Sequence, residues 1–524
     1  MNRRDFLIST SLLSLCMGGG LSSTAHASEG EAIIVLGRQE SGSAGYDPVR
    51  SVSLSMVAAL IYDRLVEQDI VDQTYRPHLA EAWETSQDGL IWTFKLRQGV
   101  TFHDGEPFNA ATIAWWIPKF KGTENEYMTS AIDKVETIDD HTVRFFMNRA
   151  EPNLIYNLAS VNMGIPSPKS YEAAGEGGYG LTEAIGTGPY KLESFVVSQE
   201  TVLVANEAYA WGSDLTGNKA VPSLKRLTMR EIPDASTAFL ELKTGGVDML
   251  LDLPTDFLPQ LKTQADIEFR QMPSYGVTFV AINTQMPNFS DMRVRQATAL
   301  AIDQGAILKS VYGGSGREAH QFLISTLGES KVDPALEIHH DPVKANKLLD
   351  EAGWVPGDDG IRVNNGKPLK VKLWARADTE YRRMAEIIQA QLKAVGMAAE
   401  ITIFDEGTYR AEFKKKDREL VIEPYSWTNA DILDFFFSAK SLDSWNLSSW
   451  NDPKSEELNE VAMHRSATWE QRVANFRKYH EYLLANFVGI PIHEPAQTLA
   501  FNNTRLSVPE QLRMPFTVVD MTSK

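Results

Sequence analysis

Cysteine is almost absent from this chain, because Cys16 is the only one among 524 residues. It lies in the apolar segment near the N-terminus, and Leu15 before it is too large for a lipoprotein site. Cleavage after Ala27, argued below, leaves a chain without thiols, which excludes disulfides, thiolate metal ligands and a cysteine nucleophile. A chain of this length without disulfides depends on hydrophobic cores, and its length predicts two or more domains.

Long apolar runs and an excess of positive charge are also missing. Beyond the N-terminal segment the apolar runs are too short to span a membrane, and the run at 433–439 is interrupted by Asp434. The chain has 51 Lys and Arg against 69 Asp and Glu, a net charge of −18. This acidic balance argues against binding to nucleic acid and to anionic lipid. We therefore expect a mature protein that is not inserted in a membrane and does not bind nucleic acid.

The sequence motifs of common hydrolases are missing as well. There is no His-Glu-x-x-His, Gly-x-Ser-x-Gly or Ser-x-x-Lys motif with its partners. The glycine-rich stretch at 175–188 lacks the preceding strand and following helix of a phosphate loop. No carboxylate pair stands out as a glycosidase pair. We expect no catalytic residues, no metal site and no cofactor, and a secreted hydrolase is the alternative from another class.

An export signal is the most informative feature that the chain does contain. Residues 1–27 begin with Arg3 and Arg4, continue through an apolar stretch, and close on an Ala-x-Ala cleavage pattern at 25–27. The paired arginines followed by Phe-Leu resemble the twin-arginine class. The apolar stretch is short for a membrane anchor and is interrupted by three glycines. The segment predicts export, cleavage near Ala27 and a periplasmic mature protein.

The first half of the mature chain has the pattern of short strands. Strands are predicted at 31–36 and 91–96, the latter after an Asp-Gly turn, and a hairpin is predicted at 135–146. A helix is predicted at 53–63, where apolar residues share one side. This half therefore reads as mixed structure with hairpins.

Beyond about residue 285 the pattern changes to that of α/β structure. One helix is predicted over 292–312, with Asp291 as its N-cap. A strand at 370–374, a helix from about Thr379 and a strand at 398–404 follow one another closely. This succession predicts a parallel βαβ unit.

An ordered series of short phrases resembles one known family. The phrases include Tyr62-Asp63-Arg64-Leu65-Val66, Pro77-His78-Leu79-Ala80, Trp92-Thr93-Phe94-Lys95-Leu96-Arg97, Gly186-Thr187-Gly188-Pro189-Tyr190, Val294-Arg295-Gln296-Ala297, and Asp341-Pro342 leading to Ala352-Gly353-Trp354. They occur in family order over nearly all of the mature chain. The chain thus resembles the extracellular solute-binding proteins of bacterial ABC importers, of the peptide/nickel type (family 5).

The resemblance implies an α/β fold with two lobes, the large cluster C type of periplasmic binding protein. Lobe I is expected at 28–280 plus 490–524, with an extra subdomain at about 51–184, and lobe II at 281–489. Such proteins close around a solute in the cleft, and an inner-membrane ABC permease reads the closed form. We therefore expect a monomeric, non-enzymatic binder whose partners are a small-molecule solute and that permease. A short peptide or amino-acid conjugate is the first hypothesis for the solute, and an opine, oligosaccharide or metal chelate remains open.

The resemblance also implies candidate ligand contacts. In peptide binders of the family, a Trp is followed three positions later by an Asp that pairs with the peptide's amino group. Here Ala430 stands three positions after Trp427, and Asp431 follows it. Another role for Asp431 is the N-cap of a helix starting at Ile432. The nickel branch uses an arginine from the first lobe, and the matching region at 158–166 contains none. The expected ligand-binding residues are Trp427, Asp431, Tyr425, Asn429, Met56 and Tyr46.

Overall fold

The computed structural model describes residues 30–36, 45–51, 55–175, 177–415 and 417–524. The predicted export signal and its cleavage site lie outside these ranges. Within them, no helix combines the length and apolar character needed to cross a bilayer.

Fifteen α-helices occur in the described ranges. They are α1 (Met56–Ile61), α2 (Ala110–Trp116), α3 (Leu154–Ala159), α4 (Pro168–Ala174), α5 (Ala235–Thr244), α6 (Leu258–Leu261), α7 (Met292–Ala301), α8 (Gln304–Tyr312), α9 (Pro342–Glu351), α10 (Thr379–Ala394), α11 (Glu406–Glu412), α12 (Ile432–Phe437), α13 (Pro453–His464), α14 (Trp469–Ala485) and α15 (Thr517–Asp520).

The same ranges contain twenty-four strands. They are β1 (Glu31–Leu36), β2 (Val66–Gln68), β3 (Tyr75–Pro77), β4 (Ala80–Thr85), β5 (Ile91–Leu96), β6 (Ile132–Asp139), β7 (Thr142–Met147), β8 (Tyr190–Val196), β9 (Glu200–Ala205), β10 (Arg226–Glu231), β11 (Met249–Leu251), β12 (Ile267–Pro273), β13 (Gly276–Ile282), β14 (Arg317–Glu318), β15 (Val355–Pro356), β16 (Arg362–Asn364), β17 (Lys367–Pro368), β18 (Lys370–Arg376), β19 (Ala398–Phe404), β20 (Leu420–Ser426), β21 (Gly489–Glu494), β22 (Ala496–Asn502), β23 (Leu506–Ser507) and β24 (Thr522–Ser523).

Two large mixed sheets form the frame of the molecule. Sheet A has seven strands in the order β12-β22-β11-β1-β10-β9-β8, and sheet B has six in the order β14-β21-β13-β20-β18-β19. In sheet A, β1 pairs in parallel with both β10 and β11. The strand predicted at 31–36 is confirmed as β1. Each sheet is covered by its own set of buried apolar side chains, so the frame has more than one core.

Sheet B contains the predicted parallel βαβ unit. β18 and β19 pair in parallel, and α10 connects them. Met384, Ile388 and Leu392 of α10 are fully buried in the core of sheet B, as their helical spacing requires. This prediction is confirmed.

The prediction of a single helix over 292–312 is wrong, because the structure contains two helices there. α7 begins at the predicted cap Asp291, but Ile302 has an extended backbone (φ −91°, ψ 123°) and ends it. The Asp303 side chain then accepts a hydrogen bond from the backbone of Ala306 and caps α8. An Asp inside an apolar helical pattern competes with the helix for backbone hydrogen bonds, and here it starts a new one.

A third, smaller sheet belongs to the N-terminal half of the chain. Sheet C has the antiparallel order β4-β5-β7-β6. Its core combines Phe94 and Phe145 of the sheet with Trp116 of α2. The hairpin predicted at 135–146 is confirmed as β6 and β7. The described part of the helix predicted at 53–63 is α1, capped by the Ser55 side chain.

The chain passes between sheets A and B twice, and the two passages lie side by side. β12 of sheet A leads into β13 of sheet B at residues 273–276, and β21 returns to β22 at 494–496. β12 pairs with β22 and β13 pairs with β21, so one antiparallel ribbon of two strands belongs to both sheets. Sheets A and B therefore meet at this ribbon.

Sheet B contains a buried carboxyl that makes stability depend on pH. Burial raises the pKa of Glu423 in β20 from its usual value of 4.5 to about 7. The folded protein therefore keeps a proton that the unfolded chain releases, and the free energy of unfolding falls as pH rises from about 4.5 to about 7. We predict that Glu423→Gln removes this part of the fall and raises stability at pH 8 by about 1–3 kcal/mol, measured by urea denaturation.

The matched control is Glu400→Gln, because Glu400 is exposed on β19. It should leave the pH profile of stability as in the wild type. If the free energy of unfolding of Glu423→Gln depended on pH as that of the wild type does, Glu423 would not be the source of this pH dependence.

Candidate functional site

A cavity of about 460 Å³ lies where sheets A and B meet. The N-terminal half contributes Met56 of α1 and Arg64 to its wall, and the paired passages contribute Tyr275 and Pro495. Thr428, just beyond β20, closes it from the side of sheet B. Distant parts of the sequence therefore border one cavity.

The wall of the cavity combines apolar side chains with a few polar ones. Hydroxyl and amide groups come from Tyr156, Ser274 and Gln497, while Arg64 and Asp252 are the charged residues among the described lining. Burial raises the pKa of Tyr156 to about 12, so its hydroxyl stays neutral at pH 7. Such a wall suits a small solute with apolar parts and a few hydrogen-bonding groups.

Hydrogen bonds beside the cavity join the N-terminal half to the sheet B side. The Tyr156 hydroxyl on α3 lies 2.6 Å from Thr428 Oγ1. Asn153 Nδ2 donates to Asp431 Oδ2 at 3.2 Å. The Tyr75 and Trp469 rings meet edge to face nearby, 5.6 Å apart. These contacts hold the two sides together in the arrangement that the structure shows.

Asp431 is engaged by protein groups. Its carboxylate forms an ion pair with Arg472 of α14, whose side chain is 1% exposed, and accepts hydrogen bonds from Asn153 and Asn429. It stands directly before α12, as the N-cap alternative requires, but its side chain makes no cap hydrogen bond. Arg472 lies 41 residues further along the chain, and no sequence pattern links the two.

The other predicted contacts around Asp431 have local protein partners. Trp427 is 42% exposed, and its Nε1 donates to Asn429 Oδ1 at 2.8 Å. Tyr425 is packed against the core of sheet B and donates to the Phe322 carbonyl. Asn429 lines a second cavity of about 190 Å³, which shares Gln68 and Thr428 with the larger one.

The two residues predicted from the N-terminal half differ in position. Met56 lines the 460 Å³ cavity. Tyr46 is buried, and its hydroxyl lies 2.5 Å from Thr201 Oγ1. Of the six predicted ligand contacts, the structure brings Met56 to this cavity and Asn429 to the smaller one. Contact with a ligand stays a prediction for all six.

A buried charge cluster adjoins the cavity wall, and the sequence analysis did not assign it to the site. Arg64 Nη2 donates to Glu67 Oε1 at 3.3 Å, and His78 Nδ1 lies 2.6 Å from the same oxygen. Burial lowers the pKa of His78, but the carboxylates of Glu67 and Asp63 outweigh it and raise the pKa overall. The signal in the sequence was the pair of charged residues Asp63 and Arg64 between the apolar residues of the phrase at 62–66.

The described residues contain no group of three or more His, Cys, Asp and Glu side chains arranged to hold a metal ion. The lining of the 460 Å³ cavity offers apolar contacts and hydrogen-bonding groups.

Asp431 has a testable structural role. Replacing it with alanine leaves the buried Arg472 guanidinium without its carboxylate, so we predict that Asp431→Ala lowers the free energy of unfolding by about 3 kcal/mol in urea. The control Arg465→Ala breaks an exposed pair with Glu460 and should cost less than about 1 kcal/mol. Unchanged stability in Asp431→Ala would show that the pair with Arg472 contributes little.

Comparison with known proteins identifies the family. The profile described as bacterial extracellular solute-binding proteins, family 5 middle, matches residues 74–446. The dipeptide-binding protein of Escherichia coli K12 is 30% identical over 436 residues, which cover 77% of this chain and 78% of that protein. Heme-binding protein A of Haemophilus influenzae is 27% identical, covering 79% of this chain and 78% of that protein.

Solved structures share the fold. NikA from Brucella suis, solved in complex with Fe(III)-EDTA, superposes with a TM-score of 0.79 over 94% of this chain and 100% of that one, at 23% identity. The predicted α/β fold class of a two-lobe binding protein is confirmed. The family match and these relatives also confirm the predicted solute-binding class. The chain belongs to the family 5 extracellular solute-binding proteins of bacteria.

Proposed function

We propose that this protein binds a short peptide or amino-acid conjugate in the 460 Å³ cavity and delivers it to an inner-membrane ABC permease. The cavity is the observation that carries the proposal. Its volume falls within the range of about 300–1,000 Å³ that is usual for small-molecule sites. Its wall, apolar with a few hydroxyl and amide groups, suits a solute of that kind.

The two sheets support the predicted division into lobes. The predicted bounds are 28–280 plus 490–524 for lobe I, with its extra subdomain at about 51–184, and 281–489 for lobe II. Because β13 and β21 belong to sheet B, we place the boundary between the lobes a few residues away, at the passages 273–276 and 494–496. The paired passages at 273–276 and 494–496 are the natural place for a hinge, since each changes sheet within a few residues. On opening, the bonds from Tyr156 to Thr428 and from Asn153 to Asp431 break, so these bonds favour the closed form.

A peptide-like solute is supported by two observations. The side chains of Gln68, Gln497 and Ser426 at the wall offer donors and acceptors that match amide groups. The E. coli relative at 30% identity is a dipeptide-binding protein. Other solutes on the same scaffold, such as an opine, an oligosaccharide or a chelate, are alternative outcomes of the test below.

We propose that the mature protein acts in the periplasm as a monomer, after export through the signal at 1–27 and cleavage near Ala27. It binds and releases its solute without altering it chemically. Closure excludes water from the solute and produces the form that the permease recognises. The protein therefore contributes affinity for the solute and a closed surface for the permease to bind.

The test is to identify what the cavity holds. Protein purified from its own periplasm without denaturation should release one small molecule, detected by native mass spectrometry. Met56→Trp fills part of the cavity, so we predict that it loses at least about nine-tenths of the bound molecule. The matched control Met292→Trp changes a residue that is 45% exposed on α7 and should retain it.

Rebinding completes the test. The emptied wild-type protein should rebind the released molecule saturably, with a change in tryptophan fluorescence and no new product. If Met56→Trp retained as much of the bound molecule as the wild type, the solute site would lie outside this cavity. A chemically altered molecule would favour the hydrolase alternative.

A further inference from the structure

Arg64 stands at the cavity wall in an unusual environment for an arginine. It follows α1, lines the cavity, and is 3% exposed. A guanidinium keeps its positive charge in proteins, so a full charge is buried at this wall. The protein groups around it determine whether that charge is already satisfied.

The described protein groups leave most of this guanidinium unpaired. Nη2 donates to Glu67 Oε1 at 3.3 Å, while Nε and Nη1 have no hydrogen-bond partner among the described residues. Glu67 is shared, because His78 Nδ1 lies closer to the same oxygen, at 2.6 Å. A buried cation with two unpaired nitrogens is costly unless another acceptor supplies the missing bonds.

The surroundings of Arg64 fit an anion attached to an apolar body. The guanidinium carbon lies 5.6 Å from the centroid of the Phe516 ring, and Phe516 also lines the cavity. Neighbouring wall residues Ile70 and Met514 are apolar. Asp252, the other charged residue among the described lining, is exposed. The wall thus offers one buried positive charge beside a flat apolar surface.

We propose that Arg64 binds a carboxylate of the solute. This inference rests on the proposed function and names the solute class: a small carboxylic acid whose remainder is largely apolar, as in a short peptide with a free C-terminus. The planar guanidinium matches a carboxylate in a two-bond geometry. A single arginine also fits a monoanion better than a doubly charged phosphate.

The experiment compares probes that differ in one charge. The probes are the dipeptide Ala-Phe and its C-terminal amide, and 4-phenylbutyrate and 4-phenylbutanamide, titrated into emptied full-length protein by calorimetry. We expect at least one acid to bind the wild type about tenfold or more tighter than its amide, because hydrogen bonds to charged groups discriminate by that factor or more.

Variants of Arg64 test whether this residue causes the preference for the acid over its amide. Arg64→Gln should lose the preference for the acid while its affinity for the amide changes little, and Arg64→Lys should retain part of the preference. The control Arg76→Gln removes a charge of the same sign from β3, where Arg76 pairs with Asp72 on the surface at 2.9 Å, and should keep the wild-type ratio. Thermal unfolding followed by circular dichroism establishes that each variant is folded.

The outcomes separate this inference from the proposed function. A wild type that binds each acid and its amide equally well is still a solute binder, but Arg64 is then not a carboxylate anchor. Equal weakening of acid and amide in Arg64→Gln would assign a purely structural role, which also overturns the inference. Failure of both acids to bind, in a protein that does retain a solute lacking a carboxylate, overturns the solute class alone. If Arg64→Gln does not fold, the wild-type ratio and Arg64→Lys decide.

Discussion

The shared two-stranded ribbon is the constraint on which the rest of the structure depends. β12 and β22 pair in sheet A, their continuations β13 and β21 pair in sheet B, and the cavity lies beside the bend between them. Gly276 begins β13 where a Cβ would collide with the Tyr425 carbonyl, so the close approach of β20 requires glycine. Because β12 continues into β13 and β21 into β22, this ribbon fixes how sheets A and B lie relative to each other.

Buried charged side chains lie on both sides of the cavity, and they differ in how fully protein groups satisfy them. Asp431 and Arg472 satisfy each other on the sheet B side, with Asn153 reaching across from the N-terminal half. On the opposite side, Arg64 is only partly satisfied by Glu67. The difference matters for function, because a satisfied ion pair stabilises the frame whereas an unsatisfied cation at a cavity wall can bind a ligand.

The sequence predicted local structure and family well, for physical reasons that particular elements illustrate. The stripe of α10 and the flanking strands follow from hydrophobic periodicity, which depends on near neighbours alone. The division of 292–312 into α7 and α8 depends on a capping bond from Asp303 that competes with an equally good helical pattern. Hydrophobic periodicity does not show whether the capping bond or the continuous helix is more stable, so the break between α7 and α8 was not predicted.

The site was harder to predict than the fold, because its contacts join residues far apart in sequence. The partner of Asp431 lies on α14, and Arg64 meets Phe516 from the C-terminal segment. Family likeness directed attention to Met56, which lines the cavity, and to the segment around Trp427, but it did not select Arg64. Such pairings follow from the topology of sheets A and B, which no short segment encodes.

The central claim is that the cavity between sheets A and B is the solute site. It is tested most directly by a crystal structure of the protein purified from its own periplasm with its solute retained. The account predicts unmodified solute density in the cavity between Met56 and Thr428, beside the ribbon. Solute density at another place, with this cavity holding only water, would contradict it.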